Sequence, residues 1–257
     1  MNNKVIISAS IVLYKENIVE LTKTIESFLA IPLSKRLFLV DNTFTADFEN
    51  KFNSEEIVYI ANRRNLGFGK AHNQVIERIK QKSNYHLILN PDVVFLKDAL
   101  PNLIEELKIN TDVAMIAPRV LFPDGQHQFS CRKYPTISDL LIRRLGFLKP
   151  LFEQSIKKGE YNDRDLTKPF NPEYLTGCFQ LYKTEDFIAI NGFDERYFLY
   201  MEDIDICKKI EKYGKKKLYF PEEKVYHNLK QGSSKKIKLL LYHISSAFKY
   251  FNKWGIS

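Results

Sequence analysis

The 257 residues hold no run of about 18 uninterrupted apolar side chains, so the sequence offers no membrane-spanning segment. Cysteine is scarce. Cys131, Cys178 and Cys207 lie far apart, form no Cys-x-x-Cys and leave an odd count, which excludes a disulfide framework and points to a reducing compartment. The apolar stretch from Val5 to Val12 is too short for a secretory signal and has no small-residue cleavage pattern, so a cytoplasmic protein is expected. Neither the spacing of a dinucleotide-binding fingerprint nor that of a Walker A loop occurs, which disfavours dehydrogenases and P-loop NTPases. No internal repeat and no low-complexity linker divides the chain.

Charge is missing in one place. The last fifty residues have no Arg and no Asp, only thirteen Lys against three Glu, a balance of +10 within a whole-chain net of +8. The first 207 residues therefore sum to −2. This asymmetry predicts a basic C-terminal surface facing an anionic partner, a membrane or a nucleic acid, with plain solvated lysines as the alternative.

What is present is an α/β pattern with 44% apolar residues, enough for a substantial core. Short β-branched runs at Val5 to Leu13, Arg36 to Val40, Ile57 to Ala61, Tyr85 to Leu89 and Val113 to Ala117 read as strands. Helical spacing falls between them, at Glu16 to Ala30, Gly69 to Lys82 and Asp98 to Ile109. The alternation predicts a single, mostly parallel sheet flanked by helices, with ligands at the carboxyl ends of its strands. Pro118 to Gly125 reads as a turn into a looser region reaching about Pro172, within which Ser138 to Lys158 carries a mixed apolar and basic stripe, either an acceptor-facing insertion or a packed lid. Regularity returns with Tyr174 to Tyr182 as a strand, Lys183 to Ile190 as a short helix, an aromatic strand-like run after Gly192, and a helix opening near Glu202. Ser234 to Trp254 is an amphipathic basic helix, which either lies on a membrane surface or docks its apolar face on the domain.

Carboxylates and amides gather at these strand ends. Tyr14 follows the first strand, Asp41 the second, and Asn90-Pro91-Asp92 the fourth; Glu202, Asp203 and Asp205 open the helix after residue 200. Each acid alone is more readily a turn former or helix cap than a catalyst, but the set converges on one crevice. Asn65-Leu66-Gly67-Phe68-Gly69, with Asn73 beyond, joins a strand to a helix where glycines allow close backbone approach. Asp92 with Asn90 suits a hard divalent ion, and His227, after the strand-like Lys224 to Tyr226, is placed to complete its shell.

The ordered set of Tyr14, Val40-Asp41-Asn42, Asn65-x-Gly67-Phe68-Gly69 with Asn73, Leu89-Asn90-Pro91-Asp92, Thr176-Gly177, Gly192-Phe193-Asp194-Glu195, Glu202-Asp203-x-Asp205 and His227 with Gly232-Ser233 resembles the family 2 glycosyltransferases, close to their bacterial rhamnosyltransferase-like branch. The resemblance covers about residues 4 to 234 and implies a GT-A fold, with residues 1–117 as a nucleotide-sugar-binding half, 118–234 as an acceptor and catalytic half, and 235–257 as the terminal helix. It implies Tyr14 and Asp41 on the nucleobase, and Asn65, Gly67, Gly69, Asn73 and Asn90 lining the nucleotide sugar. It further implies Asp92 and His227 on Mg²⁺ or Mn²⁺, Asp203 as catalytic base, and Glu202 and Asp205 as acceptor-side supports.

The implied reaction is an inverting transfer from a dTDP- or UDP-sugar, with dTDP-rhamnose first, to a lipid-linked or polysaccharide acceptor at the inner face of the cell membrane, and nucleic acid is not an expected partner. The chain departs from the family pattern twice: Asn90 replaces the first acid of the usual Asp-x-Asp, giving a less anionic metal site, and Val12-Leu13-Tyr14 lacks the common Pro-Thr before Tyr. A non-catalytic nucleotide-sugar binder or scaffold in glycan assembly is the alternative that Asn90 suggests.

Overall fold

A computed structural model describes residues 5–144, 152–229 and 237–255. The middle of the 138–158 stripe and the Gly232-Ser233 motif lie outside them. Ten strands appear among the described residues: β1 (Val5–Leu13), β2 (Lys35–Asp41), β3 (Ile57–Ala61), β4 (Ser83–Leu89), β5 (Val93–Phe95), β6 (Val113–Leu121), β7 (Cys131–Arg132), β8 (Tyr174–Leu175), β9 (Phe179–Lys183) and β10 (Lys216–His227). The helices are α1 (Ile18–Leu29), α2 (Phe68–Asn73), α3 (Ile76–Ile79), α4 (Ala99–Ile109), α5 (Ile137–Arg144), α6 (Glu153–Gly159), α7 (Thr184–Ala189), α8 (Glu202–Lys212) and α9 (Ile237–Trp254).

Eight strands form one sheet in the order β3-β2-β1-β4-β9-β6-β10-β5, and β7 pairs with β8 in a small second sheet. Four neighbouring pairs are parallel; β9 runs antiparallel between β4 and β6, and β5 antiparallel on β10. The two halves expected to meet near residue 117 thus interleave in a single sheet. Strand alternation builds the core. Ile7, Ala9, Ile11 and Leu13 of β1 face one apolar cluster with Leu21, Ile25 and Phe28 of α1 and Leu103 and Leu107 of α4. Phe38 and Val40 of β2 and Tyr182 of β9 face a second cluster with Ala71, Phe187, Ile206 and Ile210. Each Val, Leu, Ile or Phe side chain among them contributes about 1.5–3 kcal/mol by leaving water.

Ser8 and Ser10 of β1 are buried on the helix-α2 side. Ser8 Oγ lies 2.8 Å from His86 Nδ1, while Ser10 Oγ lies 3.0 Å from His86 Nε2 and 2.7 Å from His72 Nδ1. Burial drives both imidazoles below their ordinary range, His86 to about 3, so this polar chain is neutral.

Several expected elements differ in detail. Asn17 caps α1, its Oδ1 accepting from the amides of Val19 and Glu20, so the helix starts at Ile18 rather than Glu16. The span 69–82 splits into α2 and α3 because the amides of Gln74 and Val75 bond three residues back, to Ala71 and His72, tightening the turn between them. Pro118 lies inside β6 rather than in a turn. β9 pairs with β6 only at Met115 and Ile116, so the proline's missing N–H interrupts no ladder on that side. The expected strand 174–182 breaks at Thr176-Gly177 into β8 and β9, which belong to different sheets. The aromatic run after Gly192 is not a strand. Phe193 and Tyr197 are both sunk in the core, and Asn191, Tyr200 and Met201 take positive φ.

Candidate active site

Two clefts share the segment 198–203, the first along Phe198 and Leu199 and the second along Tyr200 to Asp203. The first, about 300 Å³, is lined by Tyr14, Asn42, Asn65, Gly67, Asn90 and Asp92, and closed by Phe198 and Leu199. The second, about 470 Å³, is lined by Tyr200, Met201, Glu202 and Asp203 together with β7, the Tyr134–Leu140 stretch, α6 and His243 of α9. A wider cavity of about 750 Å³ lies around Ser83, Tyr85 and Lys183, and no candidate residue faces it.

The first cleft is made by the carboxyl ends of β1 and β4 and the turn after β3. Asn65 Oδ1 accepts from the Gly67 amide at 2.9 Å, and Asn42 Nδ2 donates to the Gly67 carbonyl at 3.0 Å, so two amide side chains fold the loop. Gly67 has φ +84°, and a Cβ there would come 2.2 Å from the Phe198 carbonyl oxygen, while the Phe68 amide donates to that same carbonyl. Only glycine permits this approach. Gly69 and Asn73 turn away from the cleft. A Cβ on Gly69 would press Phe193 at 2.7 Å, and the Asn73 amide clamps the Phe193 backbone in both directions at 2.8 and 2.9 Å. These two residues, expected to line the nucleotide sugar, hold the 193–198 loop against α2.

Asp41 is fully buried at the end of β2. Its Oδ1 accepts from the amide and hydroxyl of Thr43 at 2.7 Å each, and its Oδ2 from the Tyr59 hydroxyl at 2.5 Å. Asn42, next in the chain, is the residue that reaches the cleft wall.

Asp92 and His227 come together as expected. His227 ends β10, which pairs it with Val93 on β5, and its Nε2 lies 3.3 Å from Asp92 Oδ1. That oxygen is buried and accepts no hydrogen bond. The other ring nitrogen, Nδ1, is 2.6 Å from Gln128 Oε1, which places a proton on Nδ1 and orients Nε2 toward Asp92. Burial opposes charge on the ring, but Cys178 and Asp92 outweigh it and lift the imidazole to about 10. An orphaned carboxylate oxygen beside an oriented imidazole fits a divalent ion, with Asn90 at the same cleft. The described residues contain no group of three His, Cys, Asp or Glu, so remaining ligands would come from amides, water or a bound diphosphate. Gln128 escaped sequence reasoning because it lies in the loose region, 99 positions before its partner.

The second cleft centres on Asp203. Helix α8 begins at Glu202, and its N-cap is Met201 at φ 68°, directly after Tyr200 at φ 70°. Asp203 is therefore the second helical residue and not the cap. Two successive left-handed non-glycine residues cost about 1–3 kcal/mol each, and such strain persists only where packing over-determines it. Here Met201 is buried in the core and the Tyr200 ring meets the His243 ring of α9 edge-on at 5.2 Å. Three acids then occupy the first helical turn, where the helix dipole favours negative charge.

Their surroundings separate them. Asp203 is half-buried and opens to the cleft; its Oδ2 accepts from the Gly177 amide at 3.2 Å and its Oδ1 from Ile204 at 2.9 Å. Burial raises its carboxyl, and the Gly177 and Ile204 amides and Arg132 pull it partly back. Glu202 is buried with Oε2 unpartnered, and burial followed by the charge of Asp203 pushes it up to about 8. Asp205 is fully enclosed, its Oδ1 accepting from Lys253 Nζ and Trp254 Nε1 at 2.7 Å each and from the Tyr197 hydroxyl at 3.2 Å. Asp205 thus ties α8 to α9 and does not face the cleft. Lys253 and Trp254 were legible in the sequence only as parts of an amphipathic helix.

A model of glycosyl transferase family 2 matches residues 8–190. The chain belongs to this family. A second model, the N-terminal domain of galactosyltransferase, matches residues 164–230 of this family 2 member. Rhamnosyltransferase WbbL of Escherichia coli K12 is 29% identical over 72% of this chain and 69% of its own length. The N-acetylglucosaminyl-diphospho-decaprenol L-rhamnosyltransferase of Mycobacterium tuberculosis is 28% identical over 64% of this chain and 56% of its own. The chain therefore spans between about half and two thirds of the length of such relatives. The crystal structure of GalNAc-T7 with UDP, GalNAc and Mn²⁺ superposes on 98% of this chain and 50% of its own with a TM-score of 0.69 at 16% identity. That likeness establishes the GT-A fold, a mixed α/β architecture around one large sheet.

Proposed function

We propose that this family 2 member is an inverting glycosyltransferase that moves a sugar from a nucleoside-diphosphate donor to a lipid-linked or polysaccharide acceptor in bacterial surface glycan synthesis. The observation that carries this reading is that consecutive residues 198–203 line two clefts, one holding Asn90 and Asp92 and the other Asp203. Residues 1–117 supply most of the donor side and 118–234 most of the acceptor side, with 235–257 as a helical extension. Rhamnose from dTDP-rhamnose is the first choice of donor, supported by the names of the two rhamnosyltransferases.

In this mechanism the acceptor hydroxyl enters the second cleft and gives its proton to Asp203, whose partial burial makes it a stronger base than a solvated carboxylate. The hydroxyl oxygen attacks the anomeric carbon opposite the leaving diphosphate, so the product is inverted and no enzyme nucleophile is required. Tyr14 flanks the nucleobase beside Asn42 at the cleft wall, and Asp41, expected on the base, braces that strand end from the core through Thr43 and Tyr59. Asn65, Gly67 and Asn90 line the nucleotide sugar, with Gly69 and Asn73 bracing the loop. Asp92 and His227 would hold a divalent ion, Mn²⁺ or Mg²⁺, which would neutralise charge on the diphosphate; Mn²⁺ accompanies UDP in the GalNAc-T7 structure and GDP-Man in that of a mannosyltransferase from Pyrobaculum calidifontis. Glu202 shapes the cleft floor, and Asp205 sets the helix that carries both acids.

No helix among the described residues is long and apolar enough to cross a membrane. Helix α9 supports peripheral attachment at the inner face of the membrane instead. It docks through Ser246 and Tyr250, leaving Ile237, Leu241, Ile244 and Phe248 as one exposed apolar stripe flanked by Lys238. The test is transfer by the purified protein from a panel of dTDP-, UDP- and GDP-sugars to an undecaprenyl-diphosphate-linked sugar, with and without Mn²⁺ or Mg²⁺. Metal-dependent, inverted product from one donor is expected; no transfer with any pairing overturns the reading.

A further inference from the structure

The wall of the second cleft facing Asp203 is cationic, and its construction is specific. Arg132 and Lys133 leave β7 side by side, and the Lys133 amide donates to the Gly159 carbonyl at 2.9 Å, which ties β7 to the end of α6 and brings Lys158 to the same wall. Three cations from two backbone-linked segments therefore line one cavity.

The acids of the cleft are already engaged. Glu173 accepts from the Tyr134 amide, Asp139 Oδ2 accepts from the amide and hydroxyl of Thr136 at 2.9 and 2.7 Å, and Glu202 is buried. Arg132 Nε donates to the Phe129 carbonyl at 2.9 Å and Lys133 Nζ lies over the Tyr161 ring, but their carboxylate partners are distant. The Arg132–Glu160 and Lys133–Asp163 pairs are both 3.7 Å long, and Lys158 is exposed. The cleft thus presents positive charge that its own carboxylates do not neutralise at close range.

We propose that Arg132, Lys133 and Lys158 bind the diphosphate of a lipid-diphosphate acceptor, holding the acceptor sugar between that wall and Asp203. This rests on the glycosyltransferase reading and adds to it the group by which the acceptor is recognised. The direction of the cleft favours a lipid over a free phosphate ester. His243 lines it, and the neighbouring Leu241 and Ile244 belong to the exposed stripe of α9, so a diphosphate on the cationic wall leads its hydrocarbon chain toward that stripe. Lys133 and Lys158 offer ammonium groups that move with a flexible chain, whereas the Arg132 fork suits a pair of phosphate oxygens.

The experiment is calorimetric titration of the full-length protein with decyl diphosphate in EDTA, which removes divalent metal from the Asp92 site. The double variant Lys133→Ala, Lys158→Ala is expected to weaken binding by about 10- to 100-fold, from the loss of two charge-assisted contacts. The double variant Lys133→Arg, Lys158→Arg should retain it, and matching thermal melts check that all three proteins are folded. Unchanged affinity in the alanine variant overturns the proposal, as does equal weakening by Asp92→Asn, which places the ligand in the donor cleft. A parallel arm uses phosphatidylglycerol vesicles. If the alanine variant loses vesicle binding and keeps decyl diphosphate binding, the anion is a bilayer headgroup and the proposal fails. Lysine-dependent binding without any sugar transfer leaves this site standing and removes the functional reading; transfer without such binding does the reverse.

Discussion

The two clefts of this glycosyltransferase, proposed to take donor and acceptor, are built by different means. The donor cleft hangs on the ends of β1 and β4, adjacent parallel strands whose register places Tyr14, Asn90 and Asp92 at one edge. The acceptor cleft hangs on a two-residue strand pair and on irregular segments: two left-handed residues, a glycine amide beneath Asp203, and helix α9. A regular sheet positions groups through repeated backbone pairing. An irregular wall must obtain the same rigidity from individual side-chain contacts, and residues 198–203 show how: the Gly67-Phe68 turn holds Phe198, His243 of α9 meets Tyr200, and Asp205 ties the helix that follows to Lys253 and Trp254.

The largest effect should separate the two sides by chemistry. Asp203→Asn is expected to lower kcat by about 10²–10⁴-fold while leaving the KM for donor nearly unchanged, as read by steady-state kinetics. A loss confined to donor KM would erase the distinction between the clefts.

A smaller effect should appear where the sides are joined. Gly67→Ala places a Cβ against the Phe198 backbone at a positive φ, and about 1–3 kcal/mol of stability should be lost in denaturant unfolding. Because Gly67 lines the donor cleft while Phe198 leads into the Asp203 segment, the variant should impair donor affinity and kcat together.

The smallest is a contrast in pH dependence. His86, beneath the donor side, has its folded value lowered from 6.5 to about 3, so the unfolded chain binds the extra proton and stability falls as pH drops below about 6.5. Glu202, on the acceptor side, has its folded value raised from 4.5 to about 8, so its contribution is present at low pH and is lost as pH rises through that range. Each slope is at most about 1.4 kcal/mol per pH unit. Urea titrations across pH should show His86→Gln flattening the acid limb and Glu202→Gln the alkaline one; a limb unmoved by its own substitution would separate that residue from the effect.

Legibility followed the same division. Strands β1 to β4 and helices α1 and α4 lay where apolar periodicity predicted, since alternation along a buried strand and the 3.6-residue helical stripe are local properties. Asp92 and His227 were paired from motif order, although they lie 135 positions apart, and β10 brings them within 3.3 Å. The strand expected at 174–182 failed because Gly177 turns the chain between two sheets to reach Asp203. The run 193–200 failed because aromatic residues that suit a strand serve here as core anchors of a loop. Gly69 and Asn73 were read as ligand contacts from their motif, yet their tight contacts are with Phe193, which no local pattern discloses.

The terminal helix shows where local information ends. Its amphipathic character, basic balance and length are properties of contiguous residues and were readable without coordinates, as were the family-defining order of motifs and the strand-end placement of Asp92. Which face of that helix docks, and that Lys253 and Trp254 close on Asp205 two positions beyond the proposed base, depend on a contact between segments 48 and 49 residues apart. The same holds for the unequal environments of Glu202, Asp203 and Asp205, which are near-identical neighbours in one dimension. Burial and partner geometry, not residue type, make one of them open to the cleft, one reluctant to ionise and one an anchor, and both are set only when the distant elements pack.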